Sequence, residues 1–170
     1  NLFFFFLAEK QKQVIQNEKA WLPEVVVLST PKIAKGENYL QLPYLLLDYP
    51  RCFDAVDVFA IRTMFWWGNF FSITLHLSGK YKENFQQNII DNIDAVKQDI
   101  FIGIHENQWL HHFEADNYIA AKQLSGKALR DIVHKKQFIK LAIKFPLQPW
   151  AVLPALLDKS FLEMIELLKD

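Results

Sequence analysis

One cysteine, Cys52, stands in the whole chain, so no intrachain disulfide can form and the core has to hold the fold. A lone thiol with no histidine near it in sequence reads as a small, half-buried strand residue rather than a nucleophile. A chain without disulfides is expected in a reducing compartment, the cytoplasm. Glycine is sparse, at five positions, and none builds GxGxxG or a P-loop, which excludes phosphate-cradling sites of those types. Net charge is missing too: 19 basic residues balance 19 acidic ones. With no overall positive field to gather nucleic acid or anionic lipid, no nucleic-acid partner is expected. No apolar run approaches the roughly 18–20 residues that span a bilayer, so no transmembrane segment is expected. Internal repeats, linkers and low-complexity blocks are absent. So are a nucleophile elbow and paired carboxylates in an apolar setting, and no cofactor is expected.

What is present is an ordinary globular composition rich in aromatic residues. Over 170 residues, 51% are apolar and 22% charged, with 15 Phe and 5 Trp. That length supports one domain over 1–170. The start, NLFFFFLAEKQKQ, has no basic flank or small-residue cleavage site. It reads as the first turns of a helix within 1–20. Four consecutive Phe point in every direction around such a helix. Part of Phe3, Phe4, Phe5 and Phe6 is therefore expected against the domain and part against a partner, which makes this a docking segment.

Further along, EVVVLST (24–30) reads as a strand ended by Pro31, and KIAKGEN as a polar turn. The segment 39–53 is extended, and Pro43 and Pro50 give it an edge position or an irregular path. Two apolar segments then flank Gly68-Asn69, a hairpin signal. A strict two-residue loop would mix the chemistry of both faces. A three-residue loop, Trp67-Gly68-Asn69, pairs Phe65 with Phe71, Thr63 with Ile73, Ile61 with Leu75 and Phe59 with Leu77. One face then carries Phe59, Ile61, Phe65, Phe71, Ile73, Leu75 and Leu77, and the hydrophobic pattern selects this register. The other face carries Ala60, Arg62, Met64, Trp66, Phe70, Ser72, Thr74 and His76.

A helix follows over 80–98, with Ser78 at its N-cap and Phe85, Ile89, Ile93 and Val96 inward. DIFIGIHE (99–106) and HHFEADNYIA (111–120) read as a second hairpin. Ser125 caps a helix near 127–136, whose charges form a solvated face. In 138–145, Ile139, Leu141, Ile143 and Phe145 alternate with Lys140 and Lys144. PLQPW (146–150) breaks the chain, and Ser160 and Glu163 form a capping-box pattern for a last helix. Strands in hairpins, without regular βαβ alternation, predict an α+β fold: a mainly antiparallel sheet of five or six strands with helices packed on one face.

Two groups of residues carry candidate chemistry. On the mixed hairpin face, Met64, Trp66 and Phe70 could wall a small apolar or aromatic acid, with Arg62, Thr74 and His76 as polar anchors. The plainer reading pairs Arg62 with an acid such as Glu114 or Asp116, or stacks it on an aromatic ring. In the second hairpin, His105, His112, Glu114 and Asp116 are ligand types for a metal-assisted hydrolase. No recognised metal spacing accompanies them, and a solvated hairpin face is the plainer reading. The leading expectation is a non-enzymatic interaction or structural module, a subunit of an oligomer or larger assembly. Aromatic residues with arginine are enriched at interfaces, and the Phe run calls for a partner.

Overall fold

The computed structural model describes residues 2–147 and 151–170. The described residues form an α+β domain around a seven-stranded antiparallel sheet in the order β1-β2-β3-β4-β7-β5-β6. The strands are β1 (Lys32–Tyr39), β2 (Leu42–Phe53), β3 (Val58–Trp66), β4 (Phe70–Ser78), β5 (Phe101–Gly103), β6 (Tyr118–Ala120) and β7 (Phe138–Pro146). The helices are α1 (Leu2–Asn17), the single turn α2 (Glu24–Val27), α3 (Gly79–Asn92), α4 (Gly126–Lys135) and α5 (Leu153–Glu166). Helices α1, α3 and α5 lie over β2, β3, β4 and β7, and α4 packs beside α3.

The β3–β4 hairpin adopts the register chosen by the hydrophobic pattern: Phe65 pairs with Phe71, Thr63 with Ile73, Ile61 with Leu75 and Phe59 with Leu77. Gly68 sits at φ 72° in the connecting turn, a conformation that costs glycine little. The apolar face of this hairpin joins Ile139, Leu141, Ile143 and Phe145 of β7 in one core beneath the helices. From α1 that core takes Phe4, Leu7, Ala8 and Ile15, one stripe at helical spacing. From α5 it takes Leu153, Leu157, Phe161, Met164 and Ile165.

Several expectations are corrected. The segment 24–30 is not a strand. Pro23 sets the entry to the turn α2, which buries Val26 and exposes Val25 and Leu28. The polar stretch after Pro31 is itself the edge strand β1, and with the short β5 and β6 it brings the sheet to seven strands. An edge strand with two half-exposed faces shows no alternation to read. Strand β2 lies inside the sheet, between β1 and β3, and its irregularity is a bulge at Tyr49-Pro50, a cis peptide. Pro50 has no N–H to offer a ladder, and the extra residue inverts which side chains face the core. Leu47 and Tyr49 point inward before the bulge and Cys52 packs inward after it, so Phe53 emerges on the outer face.

The last helix begins not at Ser160 but at Leu153, with Pro154 in its first turn, where a missing N–H is harmless. Ser160 lies buried in mid-helix, donating to the Leu156 carbonyl at 2.9 Å. Ser78 holds the N-cap position of α3, but its hydroxyl serves Val56 and Val58, and Asp57 Oδ1 accepts from Lys80 N–H instead. Ser125 does cap α4, accepting from Ala128 N–H at 3.1 Å. Of the break expected at 146–150, Pro146 closes β7, and residues 148–150, like residue 1, lie outside the described residues.

Candidate functional site

The outer face of the sheet is not left open. The second hairpin expected over 99–120 shrinks to three paired residues on each side, Phe101–Gly103 with Tyr118–Ala120. Its intervening segment, 104–117, has no strand structure and folds back over the outer face. Side chains rather than a ladder hold it there. Lys140 Nζ donates to the Leu110 carbonyl at 2.7 Å, and Lys136 Nζ to the carbonyls of Ile104 and His105 at 3.1 Å each. Tyr39 OH accepts from the backbone N–H groups of His111 and His112 at 2.7 and 3.2 Å. Both hydroxyl lone pairs being used, its proton goes to His112 Nδ1 at 3.0 Å.

Beneath this segment lies a cluster of buried ionisable groups. Arg62 of β3 stands opposite Asp48 of β2, and its Nε and Nη2 donate to the two carboxylate oxygens at 2.6 and 2.7 Å. This bidentate pair is the acid partner expected for Arg62, but the acid is Asp48, not Glu114 or Asp116. Lys140 of β7 pairs with His76 of β4 in the ladder and is only 5% exposed. Nζ also lies 5.8 Å from the Tyr118 ring centroid. His76 Nε2 bonds Gln108 Oε1 at 2.6 Å, and His111 Nε2 lies 3.4 Å from Arg62 Nη1.

Burial sets the protonation of this cluster. Lys140 is lowered to about 7, first by desolvation of its ammonium and then by the Arg62 charge. His76 is lowered to about 4 by burial and then by Lys140, against the opposing pull of the Gln108 hydrogen bond. His111 is lowered to about 3 by burial, then by Arg62 and Lys140. Both imidazoles are therefore neutral at pH 7. Burial pushes the Tyr118 phenol up, so it stays protonated.

Of the expected anchors, Arg62, Thr74 and His76 do converge, joined by Phe53, Ala60, Gln108, Trp109, His111 and Lys140 around a cavity of about 20 Å³. That holds roughly one water-sized occupant and no organic acid. Of the expected walls, Met64 and Trp66 are buried with Leu46, and Phe70 and Tyr39 pack against them in a second apolar cluster. Trp66 Nε1 donates to the Tyr39 carbonyl at 3.1 Å. These side chains pack against one another at the sheet end, and none of them lines the cavity beside Arg62.

The four metal-ligand candidates do not gather. His112 Nε2 bonds Asp116 Oδ1 at 3.0 Å, and His105 Nδ1 accepts from Asn107 N–H at 2.9 Å. Among the described residues no group of three or more His, Cys, Asp or Glu side chains is placed to hold a metal ion. In the N-terminal run, Phe4 is 1% exposed and Phe3 packs against the core, while Phe5 and Phe6 are 54% and 58% exposed. Sequence reading missed Asp48, Lys140, Gln108 and Tyr39. None of them carried a signal in the sequence: Lys140 alternates outward along β7 just as Lys144 does. No helix among the described residues is long and apolar enough to cross a membrane. Against this geometry, comparisons with protein-family models, curated proteins and solved structures found no match to the chain.

Proposed function

We propose that the chain is a non-enzymatic binding module that engages a protein partner or a second copy of itself through the first turns of α1. The carrying observation is the exposure of Leu2, Phe5 and Phe6, on positions i, i+3 and i+4 of one helix whose other side is core. Large apolar side chains concentrated on one turn cost hydration and favour coverage. Two further features support the reading. The densest group of ionisable residues is covered by 104–117, and two of its members bond within the chain: Arg62 with Asp48 and His76 with Gln108. Its cavity of about 20 Å³ has no room for an organic substrate.

The test compares the wild-type chain with the double variant Phe5→Glu/Phe6→Glu by native mass spectrometry and sedimentation. The wild-type protein is expected as a defined oligomer or a complex with a retained chain. The variant is expected as a monomer with an unchanged unfolding midpoint, since neither side chain is in the core. A wild-type protein that is monomeric and free of bound chains at high concentration would remove the proposal.

A further inference from the structure

The cavity under 104–117 has a charge imbalance. Four sheet strands and the covering segment face it. β2 contributes the ring of Phe53 and β3 contributes Arg62, whose charge is answered by the bidentate carboxylate of Asp48 outside the lining. β4 contributes His76, the covering segment His111, and β7 Lys140. Tyr118 of β6 lies behind Lys140 with its ring face toward the ammonium. Among the described residues no carboxylate lies within ion-pair distance of Lys140 Nζ. Its polar contact is the neutral Leu110 carbonyl, one acceptor for three ammonium protons. A buried ammonium answered only by a carbonyl and a ring face is an incomplete arrangement, because desolvation of a charge is offset by pairing.

The cavity beside it admits one particle of about water size, which is also the size class of a monatomic anion. Its other lining groups include partners for an anion: the amide nitrogen of Gln108, whose Oε1 is taken by His76, the ring edge of Trp109, and beside them the positive charge of the Arg62 guanidinium.

We propose that this cavity is a binding site for a single halide-sized monovalent anion, which completes the pairing of Lys140 and locks segment 104–117 onto the outer face of the sheet. This proposal stands apart from the docking role of α1. The site lies on the opposite face of the sheet and survives if the chain proves monomeric. The anion holds the charged amine and not the neutral one. With both imidazoles neutral and Asp48 taken up by Arg62, Lys140 is the group whose titration governs affinity, which weakens as pH rises through 7 and beyond.

The experiment is thermal unfolding of the full chain at constant ionic strength near pH 6.5, replacing sodium gluconate by sodium chloride or bromide. Gluconate cannot enter a cavity of this size. The midpoint is expected to rise with halide, logarithmically above the dissociation constant, reaching about 3–5 °C at ten times that concentration. Lys140→Met is expected to lose the halide response. Since that variant could fail to fold, crystals of the wild-type chain soaked in bromide give a second reading, with anomalous signal expected between Arg62, His76 and Lys140. Equal midpoints in gluconate and bromide, an undiminished response in a folded Lys140→Met, or a cavity with water and no bromide would each overturn the proposal.

Discussion

Replacing Asp48 by Asn keeps the shape of the side chain and removes the one carboxylate that answers Arg62. The two side chains are 11% and 22% exposed, so the pair is largely but not wholly out of water. Removing one partner of a buried pair costs 3–5 kcal/mol, because the remaining charge stays buried without compensation. The residual exposure of Arg62 puts Asp48→Asn at the low end, about 3 kcal/mol. For a chain of this length that lowers the unfolding midpoint by about 6–12 °C. The damage is greater than for an isolated pair because Lys140 lies in the same cluster, and its ammonium is already disfavoured by the Arg62 charge. Arg62→Met with Asp48→Leu removes both charges and should recover most of the loss, as apolar replacement of whole buried pairs does. The assay is urea unfolding followed by tryptophan fluorescence on the wild type and Asp48→Asn, together with Asp48→Leu, Arg62→Met and their double analysed as a cycle. A coupling energy below about 1 kcal/mol would refute the reasoning, because the pair would then behave as an exposed surface contact.

Three further outcomes follow. His76 and His111 have folded values of about 4 and 3 against 6.5 when unfolded, so between these limits the unfolded chain binds protons that the folded chain does not. The contribution of these two imidazoles is then fully present above their unfolded value of 6.5 and is lost as the solution is acidified, by about 2.5 kcal/mol per pH unit near pH 5; an imidazole C2–H resonance of either residue titrating near 6.5 in the folded protein would contradict this. Gln11 Nε2 donates to Thr63 Oγ1 at 3.4 Å in the core, and Gln11 Oε1 is buried with no hydrogen-bond partner. Thr63→Val alone should cost 1–3 kcal/mol by stranding the amide, whereas Gln11→Leu/Thr63→Val should be at least as stable as wild type in denaturant unfolding. Gly79 starts α3 at φ 58°, and a Cβ there would collide with Asp57 Oδ1, which caps Lys80 N–H. Gly79→Ala should therefore cost about 2 kcal/mol, with helix content after residue 79 reduced in hydrogen exchange.

The candidate site was legible only in part. Arg62, Thr74 and His76 were found because the β3–β4 register follows from one hydrophobic face, and that face is a local property of two adjacent segments. Asp48 was not, since its place opposite Arg62 depends on the pairing of β2 with β3 and the bulge at Tyr49-Pro50. The metal reading failed to assemble because it assumed that 111–120 was a strand with His112, Glu114 and Asp116 on one side. Those residues lie in a segment without strand geometry, where period-2 arguments do not apply. In α5, Ser160 and Glu163 imitated a helix start, and the true start was marked by Pro154, whose first-turn preference is the stronger constraint.

By itself the sequence determined what repeats at short range: the α+β class, the apolar face of β3, β4 and β7, the turn at Gly68, the cap at Ser125 and the stripe of α1. These follow from side-chain period and local backbone preference, which a few consecutive residues are enough to specify. Tertiary structure alone decided what covers each face. Lys140 alternates outward along β7 and would read as solvated. It becomes a buried amine with a lowered pKa only because residues 104–117 cross above it, held by contacts with Tyr39, Lys136 and Lys140 from distant parts of the chain. Burial, and with it charge state and pairing, is set by which segment arrives from far away.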